Sequence, residues 1–222
     1  MEHDSKYCDE GHLQEPPRYK QLESVMLQHH PHNCIGMIRL RDSKGTTSIA
    51  TGTLISKNLV LTSAHILFNN GKIQITEMIP FEFCLNLHKD RESPATIRVP
   101  IADYKFAEEY IAPLKKMFKY KSTSKEGHQS FLESIPHDYA LLKLEQPVEI
   151  PRNNYPILVP DFRENNKDVA VCGYKEIDKK DEYYQMTDSN HLLFSGNLIG
   201  QYDIDTHEGQ SGSPVHFIGK IG

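Results

Sequence analysis

The chain has 222 residues, with 25 Lys plus Arg against 30 Asp plus Glu and a formal charge of −5. That balance argues against a nucleic-acid-binding protein, which carries a basic excess on one face. No apolar run approaches the ~20 residues of a bilayer-spanning helix. With 38% hydrophobic residues, the chain can bury a core of modest richness, as one large domain or two small ones.

The first residues, Met1-Glu2-His3-Asp4-Ser5-Lys6, are polar and lack the apolar stretch of a secretory signal. Residues 1–31 read as a polar leader or pro-segment, with Pro16-Pro17 and the cluster His29-His30-Pro31-His32. Histidines so close together are a metal-binding composition. No carboxylate or cysteine is read at ligand spacing, so neither metal nor cofactor is expected. Cys8, Cys34, Cys84 and Cys172 form no Cys-x-x-Cys pair, which excludes the usual zinc and thioredoxin spacings and leaves one or two disulfides open.

From residue 32 the pattern turns to short strands. Cys34–Leu40 reads as one, and Ser48–Ile55 and Leu59–Thr62 as two more around the turn Ser56-Lys57-Asn58. Phe81, Phe83, Leu85 and Leu87 alternate with Glu82, Cys84 and Asn86, the period-two pattern of a half-buried strand. Ile97, Val99 and Ile101 repeat it, and Tyr139–Leu144 is an apolar run of strand length. Lysines 115, 116, 119, 121 and 125 form a basic run, expected as an exposed loop or short helix, and a polar insertion is read around Met117–Glu133. Four of the 13 prolines fall at 147, 151, 156 and 160, so residues 147–160 read as a linker between strand-rich halves at 32–146 and 161–222. Val169–Tyr174 and the alternation through Leu198, Gly200, Tyr202 and Ile204 then resume the strands. Short strands with turns between them, and no long helical period, predict an all-β sandwich or barrel.

Three segments could carry chemistry. Val60-Leu61-Thr62-Ser63-Ala64-His65 is a strand ending in small residues and a histidine. In His137-Asp138-Tyr139-Ala140-Leu141-Leu142 an aspartate stands at the mouth of an apolar strand. Gly209-Gln210-Ser211-Gly212-Ser213-Pro214 sets a serine between glycines. A serine hydroxyl needs an adjacent base to become a nucleophile, and histidine titrates near the working pH. The imidazole in turn needs a fixed carboxylate to set its tautomer. A glycine before the serine lets backbone N–H groups point at a developing oxyanion, a role for Gly209 and Ser211. Taken singly, each segment also reads as ordinary strand or turn structure. The order His65, Asp138, Ser211, with 73 residues in each interval (65 to 138, 138 to 211), joins them into one constellation.

Other hydrolase plans fail on order. An α/β-hydrolase runs Ser, acid, His, and no Asp or Glu follows Ser211. Subtilisin places its Asp before its His on an α/β fold. No His-Glu-x-x-His is present.

Over residues 32–222 the chain resembles the chymotrypsin-like (trypsin-like) serine peptidases, with the closer likeness to the glutamyl-endopeptidase branch. Thr51-Gly52-Thr53-Leu54-Ile55 leading to Leu61-Thr62-Ser63-Ala64-His65 is similar to the family's histidine block, Asp138-Tyr139-Ala140-Leu141-Leu142 to its aspartate block, and Gln201-Tyr202-Asp203 through Gly209–Pro214 to its serine block. The resemblance implies two packed antiparallel β-barrels, His65 and Asp138 from the first (32–146) and Ser211 from the second (161–222). It further implies a serine endopeptidase that cuts protein or peptide substrates through an acyl-enzyme. Gln210 is uncharged and cannot form the ion pair that the digestive branch makes with a newly cut amino terminus. Thr206, five residues before Ser211, matches a threonine that contacts acidic side chains in the glutamyl branch, which implies a preference for Glu or Asp before the cut. Family habit implies secretion, but with no signal read in the chain the compartment stays unassigned, as does the oligomeric state.

The chain also departs from the family. Only eleven residues follow Ser211, so the second barrel is expected to be truncated and residues 1–222 alone to fold poorly or act weakly. The cysteine that commonly follows the catalytic histidine in animal members is absent. The alternative implied by these departures is an inactive or truncated trypsin-like module that binds peptide without turnover.

Overall fold

The computed structural model describes residues 20–23, 26–70, 75–88, 96–120, 124–150, 155–158, 167–177, 182–195, 199–201, 203–204 and 206–218. The first nineteen residues, with Cys8 and Pro16-Pro17, lie outside them, as do Lys121, Pro151, Pro160, Leu198 and Tyr202.

Thirteen strands are described: β1 (Lys20–Gln21), β2 (Ile35–Arg41), β3 (Thr47–Ser56), β4 (Leu59–Thr62), β5 (Phe68–Asn70), β6 (Ile75–Glu77), β7 (Ile79–Leu85), β8 (Ile97–Phe106), β9 (Ala140–Leu144), β10 (Lys167–Ile177), β11 (Glu182–Ser195), β12 (Ile199–Gln201) and β13 (Val215–Phe217). Six of them close a barrel in the order β2-β3-β4-β9-β8-β7. Its lining follows from strand alternation. Along β9, Ala140, Leu142 and Leu144 are buried while Leu141 and Lys143 face out. Ile38, Leu54, Val60, Phe83, Leu85 and Val99 complete the interior.

β2 is buried on both faces. Its inner face holds Ile38 and Leu40 in the barrel. On its outer face Met37 joins Cys84, Leu87, Tyr174 and Tyr183, and Ile35 joins Leu22, Leu27 and Cys172. That outer face is the seam with the second half, where β1, β11, β10 and β13 lie side by side and β12 adds to β11. The long hairpin of β10 and β11 runs in register from Lys167↔Leu192 to Ile177↔Glu182. Among the described residues this second sheet is open, in contrast to the closed six-stranded barrel.

The polar insertion is helical. α1 (Ile111–Tyr120) and α2 (Lys125–Ser134) form a hairpin between β8 and β9, and Ser124 caps α2 by accepting from the Gly127 N–H at 3.0 Å. Lys115, Lys116, Lys119 and Lys125 are exposed on it. Its other side is apolar: Leu114, with Tyr110 at the end of the 3-10 turn Glu108–Tyr110 just before α1, is buried in the barrel core, and the Phe68 ring stacks edge-on against Phe106 at 5.2 Å and lies 6.0 Å from Tyr110. Cys34, Cys84 and Cys172 are buried, and none of them forms a disulfide among the described residues.

Candidate active site

His65 stands just beyond β4, in a 3-10 turn at Ala64–Leu67. The small Ser63 and Ala64 let the chain leave the barrel there, with Ala64, Ile66 and Leu67 buried and the His65 side chain 44% exposed. Asp138 follows a 3-10 turn at Ile135–His137 and precedes β9, which pairs with β4 from Leu59↔Lys143 to Thr62↔Ala140. The two residues therefore emerge from the same ends of neighbouring strands. Asp138 Oδ2 lies 2.7 Å from His65 Nδ1, and Asp138 Oδ1 accepts from the His65 backbone N–H at 2.8 Å. A carboxylate only accepts, so Nδ1 carries the proton and Nε2 presents a lone pair. Tyr110 lies close enough that burial, and then the Asp138 charge, push its phenol well above the usual tyrosine range.

Ser211 is exposed, on a turn bracketed by two residues in the left-handed region, Gly209 (φ +96°) and Gly212 (φ +84°). The turn is seated on the first barrel. Ser211 C=O accepts from the Thr51 N–H at 2.8 Å. A side chain at position 212 would collide with the Thr62 hydroxyl and the Thr51 carbonyl, so only glycine allows the approach. The Thr62 hydroxyl donates to that Thr51 carbonyl at 2.7 Å, three residues before His65. Gln210, which looked notable only for its missing charge, is buried. Its Oε1 accepts from the His207 N–H at 2.7 Å, its own N–H donates to His207 C=O at 3.1 Å, and its C=O accepts from the Ser213 N–H at 2.9 Å. The Gly209 and Ser211 N–H groups donate to no acceptor among the described residues.

His65 and Asp138 are thus brought into contact, whereas Ser211 and His65 make no hydrogen bond in this structure. Thr206 is exposed, with no hydrogen bond among the described residues. A cavity of about 760 Å³ is lined in part by Ser63, Asp138, Tyr139, Gly212 and Val215, and its lining includes neither His65 nor Ser211. The histidine cluster reaches thiols unread at the sequence level: His32 Nδ1 is 3.4 Å from Cys172 Sγ and His30 Nδ1 is 4.0 Å from Cys34 Sγ. No group of three or more His, Cys, Asp or Glu among the described residues is arranged to hold a metal ion.

A family model described as the trypsin-like peptidase domain matches residues 50–216. The chain belongs to this family. This trypsin-like peptidase is a serine endopeptidase, a hydrolase whose substrates are proteins or peptides. Among solved structures it is similar to a Glu endopeptidase in complex with MPD, at 16% identity and a TM-score of 0.66, covering 91% of this chain and 80% of that one. It is also similar to the structure of GrC, at 15% identity and a TM-score of 0.52, covering 79% of this chain and 65% of that one. At such identities these likenesses establish the chymotrypsin-like fold. No curated protein matches at a significant level. No helix among the described residues is long and apolar enough to cross a membrane.

Proposed function

We propose that this peptidase acts through Ser211, His65 and Asp138. Ser211 Oγ attacks the scissile carbonyl while His65 Nε2 takes its proton, and Asp138 holds His65 in the required tautomer and stabilises the imidazolium. The Gly209 and Ser211 N–H groups stabilise the oxyanion. His65 then returns the proton to the leaving amine, and water hydrolyses the acyl-enzyme. The observation that carries this reading is the double hold of Asp138 on His65, at ring and backbone. The bare N–H groups at Gly209 and Ser211 support it. The missing Ser211–His65 hydrogen bond does not count against it, since catalytic contacts in free enzymes often tighten only with substrate. We assign residues 32–146 to the unit carrying His65 and Asp138, 161–222 to the unit carrying Ser211, 147–160 to the linker, whose Val148 and Ile150 pack into the first barrel's core, and 1–31 to the leader, whose Lys20–Gln21 pairs with β11 and whose Leu22 and Leu27 are buried in the seam.

The test is covalent labelling with an organophosphonate serine probe. Wild-type protein is expected to label once and Ser211→Ala not at all; undiminished labelling of Ser211→Ala rejects the nucleophile.

We further propose a preference for Glu or Asp before the cut. The position of Thr206, five residues before Ser211, supports it, and its exposure leaves the hydroxyl free to meet a substrate carboxylate. A peptide-library profile dominated by Lys, Arg or Phe at that position rejects the preference.

A further inference from the structure

We infer that Thr51 is a positioning residue, whose side-chain hydroxyl fixes the peptide groups flanking Ser211; the inference rests on the reading of Ser211 as nucleophile. Thr51 lies in the middle of β3 and is wholly buried, an unusual place for a hydroxyl unless its bonds are made. Pairing of β3 with β4 runs only from Thr53↔Leu61 to Ser56↔Leu59. At Thr51 that ladder has ended, and its main-chain groups turn to the serine turn and to Thr62 instead.

The side chain completes the connection. Thr51 Oγ1 donates to Gly209 C=O at 2.8 Å and accepts from the Tyr174 N–H, on β10, at 2.8 Å. With the Thr51 N–H held by Ser211 C=O, one residue of the first barrel binds the carbonyls on both sides of the Gln210–Ser211 peptide. The N–H of that enclosed peptide is one of the two oxyanion donors. Its direction is set by carbonyls that Thr51 holds, and Thr51 takes its own bearing from Thr62 on the histidine strand and Tyr174 on the second sheet. The hydroxyl thus links nucleophile turn, histidine strand and second sheet in one joint. Transition-state stabilisation depends on such preorganised donors, and displacement of about 1 Å costs up to ~10²-fold in rate.

Valine has the shape and strand preference of threonine but neither bond, so Thr51→Val isolates the hydroxyl. In the full chain, with active sites titrated by the phosphonate probe, Thr51→Val is expected to lower kcat on a peptide anilide about 10- to 100-fold and to leave KM within about threefold. Thr51→Ser, which keeps the hydroxyl, is expected to stay within about threefold of wild type in both. Should Thr51→Val not fold, Thr51→Ala decides, because a water in the space left can satisfy the Tyr174 N–H and Gly209 C=O for folding but, unlike the hydroxyl, is not covalently fixed to β3 and so does not hold the turn in place; its kcat is expected to fall likewise. A merely structural role predicts fewer titratable sites, each turning over at the wild-type rate. Full kcat per titrated site in the folded Val or Ala variant overturns the inference, and so does a Ser variant as slow as the Val variant. Ser211→Ala is run in parallel. Hydrolysis surviving in Ser211→Ala overturns the nucleophile reading itself, whereas an inactive Ser211→Ala beside a Thr51→Val at full kcat overturns the role of Thr51 alone.

Discussion

Asp138 holds His65 at two points, the ring Nδ1 at 2.7 Å and the backbone N–H at 2.8 Å. Holding both leaves the imidazole little freedom to turn about its own bonds, so the direction of Nε2 is fixed by the same carboxylate that fixes the tautomer.

Replacement of Asp138 by Asn separates these effects. The amide oxygen can still accept from the His65 N–H, but the amide nitrogen then faces Nδ1 as a donor and forces the proton to Nε2. Asp138→Asn is expected to lower kcat by about 10⁴ with little change in thermal midpoint. Peptide hydrolysis followed alongside circular dichroism checks this, and a kcat within tenfold of wild type would sink it.

Gly212 and Gly45 share φ +84° but not their surroundings. A Cβ at 45 meets nothing within 4 Å, whereas one at 212 runs into Thr62 and Thr51. Gly45→Ala is expected to cost only the backbone penalty, about 1 kcal/mol, and to spare activity. Gly212→Ala is expected to cost more and to slow phosphonate labelling at least about tenfold, since the turn carrying Ser211, the proposed nucleophile, must lift from the barrel. Equal effects of the two substitutions on denaturation and labelling would show that the close approach is immaterial.

Stability is expected to depend on pH through His216. Burial first, then the neighbouring His32 and His30, lower its pKa from 6.5 to about 4. Between those values the unfolded chain binds a proton that the folded protein refuses, so stability falls as pH drops from about 6.5 toward 4. His32 is lowered too, by burial and then by His30. The His216 and His32 rings meet edge-on at 6.2 Å, a contact that His216→Phe retains without the titration. Melting at pH 7.5 and 4.5 is expected to show a smaller loss for His216→Phe than for wild type; an equal or larger loss refutes the assignment.

The three described cysteines should be unreactive in the folded state. Burial pushes the Cys34 thiol up to about 12, and burial with the nearby Glu82 does the same for Cys84. Cys172 is pushed higher still by burial. Ellman's reagent is expected to reach them only after denaturation. Fast release of two or more equivalents from native protein contradicts this.

The barrel strands were legible in the sequence, but their buried faces only in part. The alternation at Phe81–Leu85 lies in β7, where Phe83 and Leu85 line the barrel as read, while Cys84 is buried against the second half and Phe81 is only half-buried; that at Ile97–Ile101 lies in β8, where Val99 is buried and Ile97 exposed. His65 and Asp138, which the structure brings into contact, stood out in the sequence because one follows a recognisable strand motif and the other precedes one. A short helix was one of the two readings of the basic run, but the pair of helices and its buried side were not legible, although Tyr110, Leu114 and Met117 stand at helical spacing: the lysines among them dominate the composition, and ten residues are too few for a strong period. β11, the longest strand, alternates poorly between Tyr183 and Met186, four consecutive buried residues packed on both faces. Thr51 could not be singled out at all. A threonine in a strand reads as shape preference, and its partners lie more than a hundred residues away.

The α1–α2 hairpin has a consequence for how the barrel stays dry. Tyr110 and Leu114 sit in the same apolar cluster as Leu142 and Phe83, so a segment that looks like an appendage serves as the barrel's stopper. Were it to peel away, water would reach the apolar side chains that Tyr110 and Leu114 cover, and part of the burial that stabilises the barrel would be lost. The most lysine-rich stretch of the chain therefore keeps one side of its apolar core closed.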